Sequence, residues 1–152
     1  MKVKTTRFGL LEVEEDTLIE LASGMVGFPK LTEFAWIGHR NSPNIAWIQS
    51  TKDADVAFPL MNAANIAEGY PDVPVNKIAD QAGLSFEDEN ALALMVVLSA
   101  SAQGGTTVNL MAPVVINSRT RKGAQVVLTN SRFTSAILPP PQRRATASGG
   151  GT

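Results

Sequence analysis

The chain has 152 residues with no cysteine and a single histidine, which excludes a disulfide scaffold, a Cys-ligated zinc and a thiol nucleophile. Hydrophobic residues make up 44% of the chain and charged residues 18%, a balance typical of one folded domain and not of a disordered chain. The formal net charge of −1 does not indicate a generally cationic nucleic-acid binder.

The first part of the chain predicts short strands. Residues 2–7 alternate in polarity as a half-exposed strand does, a turn is predicted at 8–10, and the alternation resumes at 11–14. Residues 17–21 predict a third strand. The loop that follows contains three apolar side chains that we expect to anchor it, namely Met25, Val26 and Phe28.

The middle of the chain predicts one turn of helix, two strands and one short helix. Apolar residues at i, i+3 and i+4 within 31–37 favour a helical turn, with a strand as the alternative. Residues 45–49 and 56–60 predict strands. Pro59 cannot donate to a ladder, so it indicates an edge strand or a bulge. A helix is expected at 75–81, where Gly83 supplies the stop.

The last part of the chain predicts further strands at 91–98, 107–111, 114–116 and 125–128. The uninterrupted apolar run at 91–98 is typical of a strand buried on both faces. We therefore predict a mostly-β fold over residues 1–138, a small compact antiparallel barrel or sandwich with about one short helix. Residues 139–152 carry no apolar side chain larger than alanine apart from prolines, which predicts a disordered tail.

Groups that could perform catalysis are sparse. His39 lies beside a turn without a serine or cysteine pattern that would define a triad. Asp53 and Asp55 could form a carboxylate pair, although solvation of a turn explains them more simply. We expect no catalytic residue, no metal and no cofactor. The sequence contains no apolar run of the ~20 residues that a membrane helix needs, so we expect a cytoplasmic protein without a membrane partner.

Charge is distributed unevenly along the chain. Residues 1–89 hold all the acidic side chains, whereas residues 90–152 hold only basic ones. The two halves could interleave, or the surface could have an acidic and a basic face that orients a charged partner. A cluster of basic residues near a predicted hairpin leaves direct RNA binding open as an alternative, and a small-ligand barrel is a second alternative. The cluster comprises Arg119, Arg121, Lys122 and Arg132.

Apolar and amide side chains on the strands before residue 63 predict a surface for a protein partner. Tryptophan is enriched at interface hot spots, and an edge strand can accept an extended peptide. The predicted partner-binding residues are Ile45, Trp47, Gln49, Phe58, Met61 and Asn62. Three further residues, Asn109, Pro113 and Asn117, are expected to fix the fold, because asparagine satisfies turn backbone groups and proline interrupts a ladder.

Several short motifs follow one another in a recognisable order. They are Thr6-Arg7-Phe8-Gly9, Gly24-Met25-Val26-Gly27-Phe28, Trp47-Ile48-Gln49-Ser50, Ala57-Phe58, Tyr70, Val108-Asn109-Leu110-Met111-Ala112-Pro113-Val114-Val115-Ile116-Asn117 and Gly123-Ala124-Gln125-Val126-Val127-Leu128. On these motifs, which run from about Lys4 to Phe133, the sequence resembles the flagellar assembly factor family FliW.

The resemblance implies a small cytoplasmic β-barrel without catalysis. It also implies two partners, flagellin and the RNA-binding translational repressor CsrA. Flagellin is expected to occupy the protein until it is secreted, after which the free protein antagonises CsrA. The antagonism is implied to be allosteric, leaving the RNA-binding surface of CsrA uncovered, and direct contact of this chain with nucleic acid is not expected.

Overall fold

Ten β-strands and one α-helix are found in the computed structural model, which describes residues 1–38, 41–42, 44–100, 104–129, 131–133 and 135–138. The strands are β1 (Lys2–Thr5), β2 (Gly9–Glu12), β3 (Leu18–Leu21), β4 (Glu33–Gly38), β5 (Ile45–Ser50), β6 (Ala57–Asn62), β7 (Leu92–Ala100), β8 (Thr106–Asn117), β9 (Lys122–Gln125) and β10 (Ser135–Leu138). The helix is α1 (Val75–Ala82), and short 3-10 turns cover Glu15–Thr17, Ala63–Asn65 and Glu89–Ala91.

Seven strands close into a barrel. Their order is β8-β7-β6-β5-β4-β3-β9, and β9 pairs back with β8 to complete the ring. All neighbours in the ring are antiparallel except β3 and β9, which are parallel. Strand β10 is added to β8 outside the ring. The predicted mostly-β barrel with one short helix is therefore confirmed.

The barrel encloses one apolar core, and a second core lies under the helix. Phe34, Ile48 and Leu60 are fully buried in the interior. Since successive residues of a strand point to opposite faces, alternate residues of β7 and β8 pack outward, where Ile78 and Ala79 of α1 cover them. Fully burying a side chain such as that of Ile78 contributes about 1.5–3 kcal/mol, which a helix this short needs.

The boundaries of α1 follow the sequence closely. The helix begins after Pro74 and ends at Gly83, whose φ of +72° is left-handed. The backbone N–H of Gly83 donates to the carbonyl oxygens of Ala79 and Asp80. Glycine adopts this conformation without steric cost, so the stop that the sequence predicts is the stop that the structure uses.

Strand β4 corrects the helical turn expected over 31–37. Phe34 points into the barrel core, while its neighbour Ala35 is buried on the opposite face under Val3 and Val13 of the β1–β2 hairpin. A strand covered on both faces loses its polar alternation. The apolar residues at helical spacing are thus produced by two separate cores and not by one face of a helix.

Two further expectations differ from the structure, and one strand of the structure is not predicted. Residues 126–128 follow β9 instead of forming a strand, and their backbone bonds to the irregular part of β8. Strand β10 has no counterpart in the prediction. Of the three expected loop anchors, Met25 is buried, whereas Val26 and Phe28 are exposed. The domain boundary placed at 138 remains a prediction, because residues 139–152 lie outside the described residues.

The structure also corrects the expected edge at β5 and β6. Strand β5 is central, since it pairs with β4 on one side and β6 on the other. Strand β6 pairs with β7 only through Leu60, Met61 and Asn62. Its first half, which contains Pro59, pairs with β5 alone in the described part of the chain. A proline without an N–H is tolerated here because the β6–β7 ladder begins after it.

Candidate functional site

A groove of about 540 Å³ opens where the first half of β6 separates from the end of β7. Its lining combines apolar side chains with the polar Arg7, Ser99 and Thr106, and Trp47 and Pro59 are direct cross-strand neighbours within it. We call this feature the Trp47 groove. It is lined by Arg7, Ile45, Trp47, Ala57, Pro59, Leu98, Ser99, Ala100 and Thr106. A large aromatic ring in a concave site is a typical anchor for a protein partner.

Trp47 is held in place by the turn between β1 and β2. The ring of Phe8 meets the indole edge-on, with 5.6 Å between centroids and 77° between planes. The guanidinium carbon of Arg7 lies 4.4 Å from the indole centroid, a cation–π contact. Both contacts restrict the rotamers of Trp47, so less conformational entropy remains to be lost when a ligand binds.

The turn is itself tied to the loop between β5 and β6. The backbone N–H of Thr6 donates to the carbonyl oxygen of Ala54 at 2.9 Å, and the hydroxyl of Thr6 donates to the carboxylate of Asp55. Asp53 caps the same loop by accepting from the backbone N–H of Asp55 at 3.0 Å. These two carboxylates therefore stabilise a turn, the simpler of the two interpretations of their spacing.

The side chain of Gln49 holds the β5–β6 loop in place. Its side chain is fully buried, and Nε2 lies 3.0–3.3 Å from the carbonyl oxygens of Ser50, Asp53, Ala54 and Val56. Oε1 has no hydrogen-bond partner among the described residues. Gln49 thus acts on Trp47 through the loop and through Thr6, and it does not line the groove.

The six predicted partner-binding residues divide into three groups. Ile45 and Trp47 line the groove. Met61 pairs with Ile45 across the strands and packs towards the helix-side core, and exposed Asn62 accepts from the backbone N–H of Ala64 at 2.9 Å. Phe58 joins Gln49 in the third group, whose side chains do not reach the groove.

Phe58 faces the barrel core, where its ring centroid lies 6.2 Å from that of Phe34 and 5.7 Å from that of the exposed Phe28. The six residues therefore do not share one exposed edge: Phe58 lies on the inward face of β6, and Gln49, although on the same face of β5 as Trp47, is covered by the β5–β6 loop. Their contact with a partner stays a prediction.

The groove also uses residues that the sequence did not single out for binding. Arg7 and Phe8 come from the β1–β2 turn, whereas Leu98, Ala100 and Thr106 come from the far strands β7 and β8. The motif Thr6-Arg7-Phe8-Gly9 is a local signal for the turn. Its contact with Trp47 is a long-range one that no local pattern encodes.

Asn109 organises an irregularity in β8. Between Asn109 and Val114, four residues of β8 stand opposite Val96 of β7. The side-chain oxygen of Asn109 accepts from the backbone N–H groups of Met111 and Ala112, each at 3.1 Å. Within the same segment, the carbonyl of buried Pro113 accepts from a backbone N–H of the chain beyond β9 at 2.9 Å.

Asn117 closes the turn that follows β8. It is buried, and its oxygen accepts from the backbone N–H groups of Arg119 and Thr120 at 3.0 and 3.3 Å. Its Nδ2 donates to the carbonyl oxygen of Ser85 at 3.0 Å. These are the bonds that a fold-fixing role requires.

A second set of contacts holds the segment that leads into β10. The hydroxyl of Tyr70 donates to the carbonyl oxygen of Leu110 at 2.9 Å, and burial, with a contribution from nearby Asp72, raises the pKa of Tyr70 to about 12. Asp72 accepts from the hydroxyl of Ser131 at 2.6 Å and from the backbone N–H of Arg132 at 2.8 Å. The bond from Ser131, followed by that from Arg132, lowers the pKa of Asp72.

The arginines of the predicted basic cluster lie next to different acidic or aromatic side chains. The Arg119 guanidinium lies 3.0 Å from the Asp88 carboxylate. Arg132 stacks on Phe133 at 4.8 Å. Arg121 lines a depression together with Glu15, Glu20 and Glu33. The interleaved arrangement of charge is therefore seen at these sites, and it gives no specific support to a phosphate-tracking surface. His39 lies outside the described residues.

No helix in the described ranges has the length and apolar character needed to cross a membrane.

Comparisons with known proteins agree on one family. The family described as FliW protein matches residues 2–137. The chain is 35% identical over 135 residues to the flagellar assembly factor FliW of Geotalea uraniireducens, covering 89% of this chain and 82% of that protein. It is 30% identical over 152 residues to the FliW of Desulfitobacterium hafniense, covering 99% of both.

The fold is similar to a solved structure as well. A crystal structure of the flagellar assembly factor FliW superimposes with a TM-score of 0.79 at 28% sequence identity. The alignment covers 93% of this chain and 99% of that one. The similarity thus extends over nearly the whole of this chain.

Proposed function

Because the chain belongs to the FliW family of flagellar assembly factors, we propose that it acts in flagellar assembly by binding two proteins in turn. The first is flagellin. The second is the translational repressor CsrA, which the chain binds when flagellin is scarce. The observation that carries this proposal is the match to the family over residues 2–137.

The Trp47 groove is the proposed site for an apolar segment of flagellin. Trp47 and Ile45 supply the direct contacts, and Met61 and Asn62 extend the surface beyond the groove. Gln49 and Phe58 act from beneath, Gln49 by fixing the β5–β6 loop and Phe58 by supporting β6 from the core. Gln49 and Phe58 are proposed to hold the binding surface in shape and not to take part in catalysis. The proposed function requires neither a cofactor nor a metal.

Antagonism of CsrA then follows from mass action. Each flagellin molecule that binds removes one molecule of free regulator, so secretion of flagellin releases the regulator to CsrA. The proposed antagonism is allosteric and leaves the RNA-binding surface of CsrA uncovered. Translation of flagellin would rise when free flagellin falls, and all of these encounters belong to the cytoplasm.

The test is a competition titration with the three proteins from one organism. Labelled CsrA is titrated with the full chain, first alone and then with increasing flagellin, and binding is followed by fluorescence anisotropy. We expect saturable binding to CsrA that flagellin reverses in a concentration-dependent manner. Absence of binding to both proteins would contradict the proposal. Binding to RNA by the chain alone, weakened steeply by salt, would instead favour the RNA-binding alternative.

A further inference from the structure

One end of the barrel opens to solvent through a cavity of about 290 Å³. Four different strands, β3, β4, β7 and β8, supply its apolar wall, which consists of Ile19, Trp36, Ala93 and Ile116. Ile19 and Ile116 belong to the buried core of the barrel, and Trp36 is half-buried against the same core. We call this cavity the barrel mouth, because the apolar interior reaches the surface there. The mouth of a β-barrel is a common place for a small-ligand site.

Polar side chains complete the lining of the barrel mouth. They are Asp16, Thr17, Ser118 and Arg121. Asp16 lies in the 3-10 turn before β3, whereas Arg121 lies in the turn between β8 and β9. Both of these charged residues are exposed. The barrel mouth therefore combines an apolar wall with one negative and one positive group at the surface.

Arg121 has a backbone conformation that is unfavourable for arginine. Its φ is +59°, and no other residue except glycine has a positive φ in the described part of the chain. Its N–H donates to the carbonyl oxygen of Asn117 at 2.7 Å, and its own carbonyl oxygen accepts from the N–H of Glu20 at 2.9 Å. Glycine would adopt this conformation without crowding at Cβ. A strained residue with a long charged side chain beside a cavity suggests that the side chain has a function.

We propose that the barrel mouth binds a free α-amino acid with an apolar side chain. The apolar side chain of the ligand packs against Trp36 and Ile116. The α-carboxylate pairs with Arg121, and the α-ammonium group pairs with Asp16. The barrel mouth shares no lining residue with the Trp47 groove, so this inference does not depend on the proposed function.

The charges around the barrel mouth favour a ligand that carries both signs. The guanidinium of Arg121 forms no ion pair with any other described residue, and its planar fork matches the geometry of a carboxylate. A ligand that is only anionic would also face Asp16 and the carboxylates of the adjoining depression, which are Glu15, Glu20 and Glu33. A ligand that is only cationic would lie beside the like charge of Arg121. A zwitterion avoids both kinds of repulsion.

The volume of the barrel mouth selects a small ligand. Sites for drug-sized molecules measure about 300–1,000 Å³, and the barrel mouth, at about 290 Å³, lies at the lower limit of that range. Burial of the ligand's apolar side chain supplies the hydrophobic part of the affinity. The two charged contacts are exposed and therefore weaker, but they distinguish an amino acid from other small apolar molecules. Binding should thus require the apolar side chain and both charged groups of the ligand.

The first experiment uses tryptophan fluorescence of the full-length Trp47→Phe variant, in which Trp36 is the one remaining tryptophan. The probes are L-leucine and L-phenylalanine. Three analogues of L-leucine each lack one feature: isocaproate lacks the ammonium group, isoamylamine lacks the carboxylate and glycine lacks the side chain. We expect a saturable change with the two amino acids and roughly tenfold weaker binding, or none, for each analogue.

Two results of this titration would overturn the inference. One is the absence of a saturable change with both L-leucine and L-phenylalanine. The other is binding of isocaproate or isoamylamine as tight as that of L-leucine, because the ligand would then not be recognised as an amino acid.

The second experiment changes the charged residues of the barrel mouth in the same Trp47→Phe background. The test variants are Arg121→Gly and Asp16→Asn. The matched control is Arg119→Gly, which removes a positive charge from the same turn, since Arg119 pairs with Asp88 and does not line the barrel mouth. We expect roughly tenfold weaker binding of L-leucine to each test variant and unchanged binding to the control.

The urea midpoint separates loss of binding from loss of folding. Arg121→Gly should unfold at a urea midpoint no lower than that of Arg119→Gly, because glycine tolerates the positive φ at this position. Weaker L-leucine binding with a retained midpoint would support the contact between Arg121 and the carboxylate. Equal L-leucine affinities of Arg121→Gly and Arg119→Gly would overturn it.

Discussion

Asn117→Ala is the substitution whose effect follows most directly from the structure. Asn117 is buried and makes three hydrogen bonds to backbone groups, two as acceptor and one as donor. Each bond contributes about 0.5–1.5 kcal/mol net, and a buried group left without its partner costs more. We therefore expect Asn117→Ala to lower the free energy of unfolding by about 2–4 kcal/mol.

Urea unfolding followed by circular dichroism measures this loss. The midpoint should fall while the m-value stays constant, since the native barrel is retained. The matched control is Ser118→Ala, an exposed neighbour whose change is expected within about 0.5 kcal/mol of the unmodified chain. Asn117→Asp keeps both acceptor bonds but turns a buried carboxylate oxygen towards the carbonyl oxygen of Ser85, so it should also destabilise the chain. If Asn117→Ala unfolds at the midpoint of Ser118→Ala, the assigned role is wrong.

Gly24→Ala should destabilise the chain by more than about 2 kcal/mol in the same assay, because the new Cβ would lie 2.1 Å from the Phe28 carbonyl oxygen at a φ of +66°; an unchanged midpoint would contradict this. Tyr70 has a raised pKa in the folded state, so its contribution is complete below pH ~10 and is lost as pH rises towards about 12. Tyr70→Phe should remove that alkaline dependence of the urea midpoint, and an unaltered profile would refute the assignment. Asp72 has a lowered pKa, so its contribution is present above pH ~4 and lost on acidification. Asp72→Asn should flatten the acid limb of the profile, and an equally steep limb would count against the bonds to the segment before β10.

The elements with local signals were predictable from the sequence. The helix α1 carries its own start at Pro74 and its own stop at Gly83. The apolar run of β7 is buried on both faces, as its lack of alternation predicts. In each case the residues that specify the element lie within it, so no knowledge of distant contacts was needed.

The elements that the sequence does not predict correctly are those whose structure depends on contacts with distant parts of the chain. The spacing within 31–37 favours a helical turn over a strand, whereas the structure has strand β4, in which Ala35 is covered by the β1–β2 hairpin. No pattern within 31–37 reveals that distant cover. Strand β10 was missed because it depends on the exposed edge of β8.

The site was predictable only in part. Trp47 stood out as a large aromatic residue on a strand, and the structure places it in the groove. The inward orientation of Phe58 depends on which face of β6 the barrel encloses, whereas Gln49 shares the outward face of β5 with Trp47 and is buried because the β5–β6 loop covers it. The contribution of Arg7 depends on the β1–β2 turn folding back over β5. These are properties of the closed barrel, and the order of residues along one strand does not contain them.

The central claim is that the chain holds flagellin at the Trp47 groove. Calorimetric titration of flagellin into the Trp47→Ala variant tests it most directly. The control is Val26→Ser, which removes an exposed apolar side chain that does not line the groove. A hot-spot tryptophan contributes about 2 kcal/mol or more, so the account predicts roughly 30-fold weaker binding or more for Trp47→Ala and unchanged binding for Val26→Ser. Equal affinities for the unmodified chain and Trp47→Ala, with both folded, would contradict it.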